Sequence, residues 1–136
     1  MTRTQHSGFT LLELLVVVAI VGILSVVAYG AYTKQVTASR RTDARESLQR
    51  ISTSLEKCKT LYGSYNSPNC SIANASTLPS TEALYDIGVV SASSTFTLTA
   101  TPASGSPQNN DTYCTSLILN NLGQKTGTGA DPSKCW

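Results

Sequence analysis

Four cysteines, Cys58, Cys70, Cys114 and Cys135, are the residues of this 136-residue chain best suited to covalent chemistry. Their number is even and none forms a C-x-x-C pair. The single histidine, His6, stands far ahead of them, so the ligand pattern of a Cys/His zinc centre is missing. Oxidation to two disulfides fits better and places that part of the chain outside the cytosol. Four cysteines allow three connectivities, and spacing alone does not choose among them. A second chemistry concerns Glu13. It precedes 18 uncharged residues, Leu14–Ala31, which as a helix would span about 27 Å, close to the hydrocarbon thickness of a bilayer. An ionised side chain beside such a run costs a few kcal/mol on insertion scales and calls for a partner. Arg3 is ten residues back. Cutting the bond after Gly8 would leave a free amine on Phe9, four residues and one helical turn from Glu13.

No enzymatic constellation accompanies these residues. Glu82 and Asp86 are four apart, a spacing more often seen in solvated carboxylates than in an acid/base pair. The stretch "GQKTGTG" around Lys125 lacks the spacing of a phosphate-binding loop. No metal site, cofactor or catalytic residue is expected. Asp111 and Asp131 are too isolated for calcium, which takes six or more oxygens.

The elements that must position these residues follow from periodicity. The apolar run exceeds the 7–15 residues usual for a signal-peptide core and has no clear A-x-A site after it, so it reads as retained. Beyond it, Ala44, Leu48, Ile51, Leu55, Cys58 and Tyr62 are spaced 4, 3, 4, 3 and 4, which predicts an amphipathic continuation of the same helix. One helix from Phe9 to Tyr62 would be roughly 80 Å long. Gly63 suits its C-cap, and Pro68 follows. Three strands are expected after that, at 83–90, 95–101 and 113–119. In the second, Phe96, Leu98 and Ala100 alternate with threonines. In the third, Leu117 and Leu119 face inward. "NNLGQKTGTG" is expected to turn away through Gly123, Gly127 and Gly129.

Charge is nearly balanced, ten Lys and Arg against eight Asp and Glu, but unevenly placed. From Lys34 to Lys59 there are seven basic residues and three acidic, a basic neck. From Thr60 onward there are two basic residues, Lys125 and Lys134, and four acidic.

The stretch "GFTLLELLVVVAIVGIL" resembles the N-terminal signature of type IV prepilins and of the pseudopilins of type II secretion. The resemblance implies that a prepilin peptidase cuts between Gly8 and Phe9, that Phe9 is N-methylated, and that Glu13 meets the amine of a neighbouring subunit during assembly. Many type IV pilins carry proline where this chain has Gly30. Gly22 and Gly30 read equally as a site of local melting or as small residues that permit close helix packing. The strand "FTLTATP", Cys114, "LILNNLGQKTG" and the terminal Cys-Trp are similar to PilE-type minor pilins of Gram-negative type IVa pili. That similarity implies a Cys114–Cys135 disulfide and leaves Cys58 to Cys70.

The implied fold is α+β, the type IV pilin fold: a long N-terminal helix, membrane-spanning and then amphipathic, packed on a three- to four-stranded antiparallel sheet. Residues 1–8 would form the leader and 9–32 the filament-core half of the helix. The pilin domain would comprise 33–136, with the second helix half at 33–62, a connecting loop at 63–82, and the sheet and disulfide loop at 83–136. The implied function is that of a structural subunit, minor rather than major, of a type IV pilus serving assembly, motility, adhesion or DNA uptake. Its partners would be other pilins in homo- or heteropolymers, the prepilin peptidase, the inner-membrane assembly platform and the membrane itself. Before assembly it would be single-pass with its body in the periplasm, and afterwards part of the surface pilus. Two alternatives stand behind this reading. A DNA-receptor pilin for transformation is disfavoured by a body with few free cations. A secretion pseudopilin is disfavoured by the expected C-terminal disulfide and the missing calcium loop.

Overall fold

The computed structural model describes residues 10–73 and 75–136. The chain divides into two units, Met1–Val36 and Thr37–Trp136. Helix α1, Leu11–Tyr62, contributes to both.

In the first unit, no proline interrupts α1 and every helical residue from Leu11 to Gln35 is exposed. The most apolar stretch has a mean hydropathy of 2.9, and none of it is buried within the chain. That much unburied apolar surface requires a non-aqueous or protein environment. Two hydroxyls along this part of the helix are satisfied locally. The Ser25 hydroxyl donates to the Val21 carbonyl at 2.7 Å, and the Thr33 hydroxyl to the Gly30 carbonyl at 3.1 Å. Around Gly22 and Gly30 an added Cβ would meet nothing, so a neighbouring helix could approach closely at both.

In the second unit, the rest of α1 packs on one five-stranded antiparallel meander: β1 (Thr77–Pro79), β2 (Tyr85–Ser91), β3 (Phe96–Pro102), β4 (Ser116–Asn120) and β5 (Lys125–Thr128), in that spatial order. Ala44, Leu48, Ile51 and Leu55 are buried against Ile87, Leu98 and Leu117. The alternation in β3 is realised as expected, with Phe96, Leu98 and Ala100 inside. Thr97 and Thr101 are exposed, and Thr99 is half-buried.

Three expectations are corrected. The sheet has five strands rather than three or four. β1 lies inside the span expected to be a loop, and "NNLGQKTGTG" returns as β5 with Leu119 opposite Lys125. The third expected strand starts at Ser116 rather than Tyr113, because Tyr113 and Cys114 are taken up by bonds to the C-terminal loop. Tyr62, the last residue of the stripe, is exposed. Tyr65 takes its place in the core, edge-on to Phe96 with ring centroids 5.0 Å apart.

Ala83, between β1 and β2, has φ 55°. The left-handed region disfavours a residue with a Cβ by roughly 1–2 kcal/mol. Ala83→Gly should therefore raise stability by up to about 1 kcal/mol after glycine's greater unfolded-state entropy is offset. Urea unfolding of the two proteins side by side measures it.

Candidate functional site

At the start of α1, the Thr10 hydroxyl accepts the Glu13 backbone N–H at 3.3 Å. The sequence T-x-x-E is that of a capping box, in which an N-terminal threonine and a glutamate three residues on satisfy each other's amides. The positive end of the helix dipole also favours a carboxylate in the first turn. Thr10 thus caps the helix through the Glu13 amide, and Glu13 stands where a first-turn carboxylate suits the helix dipole. Gly8 and Phe9 lie outside the described residues.

In the body, the C-terminal segment is fastened to the helix at several points. Disulfides join Cys58 to Cys70 and Cys114 to Cys135. Beneath the second lies a buried ion pair. Arg41 donates from Nε to Asp111 Oδ2 at 2.7 Å and from Nη2 to Asp111 Oδ1 at 2.8 Å, a bidentate fork. Its Nη1 donates to the Lys134 carbonyl at 2.9 Å. One turn later, Arg45 Nε donates to the Cys135 carbonyl at 2.9 Å. Burial pushes the Asp111 carboxyl up. Arg41's hydrogen bonds, the Cys114 amide and the Arg41 charge outweigh that and hold it below the usual carboxylate value.

A neighbouring polar layer completes the helix–sheet contact. Asp43 accepts from the Ser80 hydroxyl at 2.5 Å and from the Glu82 amide at 3.0 Å. Gln108 donates to the Tyr85 hydroxyl at 2.7 Å and to the Thr37 carbonyl at 3.3 Å. Burial raises the Tyr85 phenol above its ordinary pKa.

The sequence places Arg41 in a basic neck. The missed signal was position, because Arg41 lies three residues before Ala44 and so extends the apolar stripe by one more step. A charge on a buried stripe demands a buried counter-charge, and Asp111 supplies it. Glu82 is exposed and Asp86 half-buried.

Two exposed lysines sit over aromatic rings at the C-terminal edge. Lys134 Nζ is 4.5 Å from the Tyr113 ring centroid, and Lys125 Nζ is 5.1 Å from that of Trp136. Trp136 Nε1 donates to the Thr126 carbonyl of β5 at 2.6 Å. Tight glycines hold the segment in place. A Cβ on Gly127 would lie 2.5 Å from Cys135 Sγ, and one on Gly129 would collide with the Tyr113 carbonyl.

Residues 30–118, about two thirds of the chain, match a family described as type IV minor pilin ComP, DNA uptake sequence receptor. The chain belongs to this family of type IV minor pilins. Residues 3–29 of the minor pilin match a second family, the prokaryotic N-terminal methylation motif. No curated protein matches the chain. The match of the minor pilin to its family includes Arg41, Asp43, Asp111 and Cys114. It stops before β5, Lys125, Lys134 and Cys135.

Proposed function

We propose that this minor pilin is cut between Gly8 and Phe9 by a prepilin peptidase, N-methylated on Phe9, and held in the inner membrane by the apolar half of α1 with its body in the periplasm. From there it enters the pilus alongside other pilins through the assembly platform. Glu13 registers it against a neighbour's amine, and the disulfide-tied body performs no catalysis. Support comes from the methylation-motif match over residues 3–29 and the unburied apolar start of α1 that falls within it. N-terminal sequencing of the mature protein should begin at methylated Phe9. A chain beginning inside the apolar run would overturn the processing step.

In the filament, we further infer, the subunit receives DNA. The observation that carries this is the family match over residues 30–118. The surface for it is the C-terminal edge, where Lys125 stands beside Trp136, and Lys134, whose ammonium lies 3.2 Å from the Asp131 carboxylate, stands beside Tyr113. Ammonium groups neutralise phosphates, and the exposed Tyr113 ring offers a face on which a base stacks. The outer face of the sheet is unsuited, because its threonines on β3 and β5 are accompanied by Asp86 and no lysine or arginine.

Gel shift with full-length protein in detergent, over a series of salt concentrations, tests the reading. Replacing both lysines by glutamine should flatten the slope of log K against log salt by about two. An unchanged slope with binding retained would move the contact elsewhere. No binding by the unmodified protein would end the receptor reading.

A further inference from the structure

The two segments joined by the Cys114–Cys135 bridge are also joined by hydrogen bonds that do not involve sulfur. The cysteines are 21 residues apart, yet the segments carrying them converge on one guanidinium. On the Cys114 side, Asp111 takes two hydrogen bonds from Arg41, and its Oδ1 also accepts the Cys114 amide at 3.2 Å. On the Cys135 side, the preceding carbonyl, that of Lys134, accepts from Arg41 Nη1 at 2.9 Å, and the Cys135 carbonyl accepts from Arg45. A short backbone ladder runs alongside. Ala130 N donates to Thr112 O at 3.0 Å and Asp131 N to Tyr113 O at 3.1 Å. None of these bonds involves sulfur. Arg41 and Asp111 are both almost fully buried, so the clamp acts where water does not compete for its hydrogen bonds.

We propose that Arg41 is a positioning residue for disulfide formation: with Arg45 as a second hold, it directs Cys114 to Cys135 and away from Cys58 and Cys70. Cys58 lies 17 residues further along α1, about 25 Å by helical rise. A reduced chain that has formed the clamp thus has Cys114 and Cys135 at high mutual effective concentration and both remote from Cys58. The clamp selects one of three connectivities before any covalent bond exists. In the oxidation step, the two thiols give up two protons and two electrons as the S–S bond forms. A small-molecule or protein disulfide oxidant accepts them and is reduced to two thiols.

The test uses the full-length protein in detergent. It is reduced with dithiothreitol, freed of reductant and reoxidised with oxidised glutathione, and aliquots are alkylated at intervals. Peptide mapping then follows Cys114–Cys135 and Cys58–Cys70 separately in the same molecules. Arg41→Gln should slow Cys114–Cys135 formation about tenfold relative to Cys58–Cys70 and raise Cys58–Cys114 and Cys58–Cys135 isomers, while Arg50→Gln changes neither. General destabilisation would slow both native bridges together. An unchanged ratio of the two rates in Arg41→Gln overturns the proposal.

A second variant covers failure of Arg41→Gln to fold. In Cys114→Ser/Cys135→Ser, the clamp alone should keep the Ala130 and Asp131 amides protected from hydrogen exchange, within about tenfold of the oxidised protein. Complete loss of that protection would show that the disulfide, and not Arg41, holds the segments together, and the proposal would fall.

Discussion

Asp111→Ala is expected to destabilise the body by about 3–5 kcal/mol, because it leaves the Arg41 guanidinium buried and uncompensated. Small domains have only about 5–15 kcal/mol in total, so this is among the most damaging single changes available outside the cysteines. The loss has two parts. One is the bidentate fork itself, and the other is the cost of an unpaired buried charge, which is the larger. Removing both charges together separates them: Arg41→Met with Asp111→Leu should recover part of the loss, since an apolar pair removes the unpaired charge while the Cys114 amide and the Lys134 carbonyl lose their partners. The pH dependence follows from the lowered Asp111 pKa. A carboxyl depressed in the folded state contributes its full stability above the ordinary aspartate value, about 3.9. The contribution fades as pH falls below that through the folded value. Thermal melts of the disulfide-intact protein at neutral pH and near pH 3 should show the native protein losing stability on acidification. Asp111→Ala, already lacking the carboxyl, should lose measurably less. Equal acid sensitivity in the two proteins would assign the pH effect to other carboxylates.

Why this pair was not legible in the sequence, while most of the fold was, has a physical explanation. Ala44, Leu48, Ile51 and Leu55 declare a helix face because burial selects apolar residues at helical spacing. The threonine alternation of β3 declares a two-faced strand for the same reason. β5 gives no such signal. Its inward residue opposite Leu117 is Gly127, and the space a side chain would fill is occupied by Cys135 from across the disulfide loop. The apolar partner of that strand is thus supplied from outside it, by Cys135 and Trp136, and local periodicity cannot register it. β1 escapes notice because three residues in a Ser/Thr-rich stretch are too few to show a period. The Arg41–Asp111 pair spans 70 positions, and nothing local at either residue names the other. The N-terminal motif is the opposite case. Glycine, phenylalanine and glutamate stand within six positions of one another, so the proposed processing and assembly chemistry is written in neighbouring residues.

That proximity makes Glu13 the sharpest test of the assembly reading, because substitutions can separate a capping role from the proposed pairing. One is local. Glu13 occupies the third helical position, its amide held by Thr10, where glutamate or glutamine serves a capping box about equally well. The other is the proposed pairing of its carboxylate with a neighbouring subunit's Phe9 amine, which needs the charge and which glutamine cannot supply. Away from bulk water, loss of one member of a charge pair costs several kcal/mol, enough to lower incorporation by at least about tenfold. Glu13→Gln and Glu13→Ala are therefore both expected to deplete the subunit from sheared pili by that factor or more. Both should remain in the membrane fraction with disulfides formed, since the body's ion pair and bridges involve only residues from Arg41 onward. Quantifying the subunit in membrane and pilus fractions of the same cells decides among the outcomes. Normal incorporation of Glu13→Gln with depletion of Glu13→Ala would make the capping box, not the charge, the reason for the glutamate. Loss of both variants from the membrane would show that Glu13 acts earlier, in insertion or folding, and the registering role would have to be abandoned.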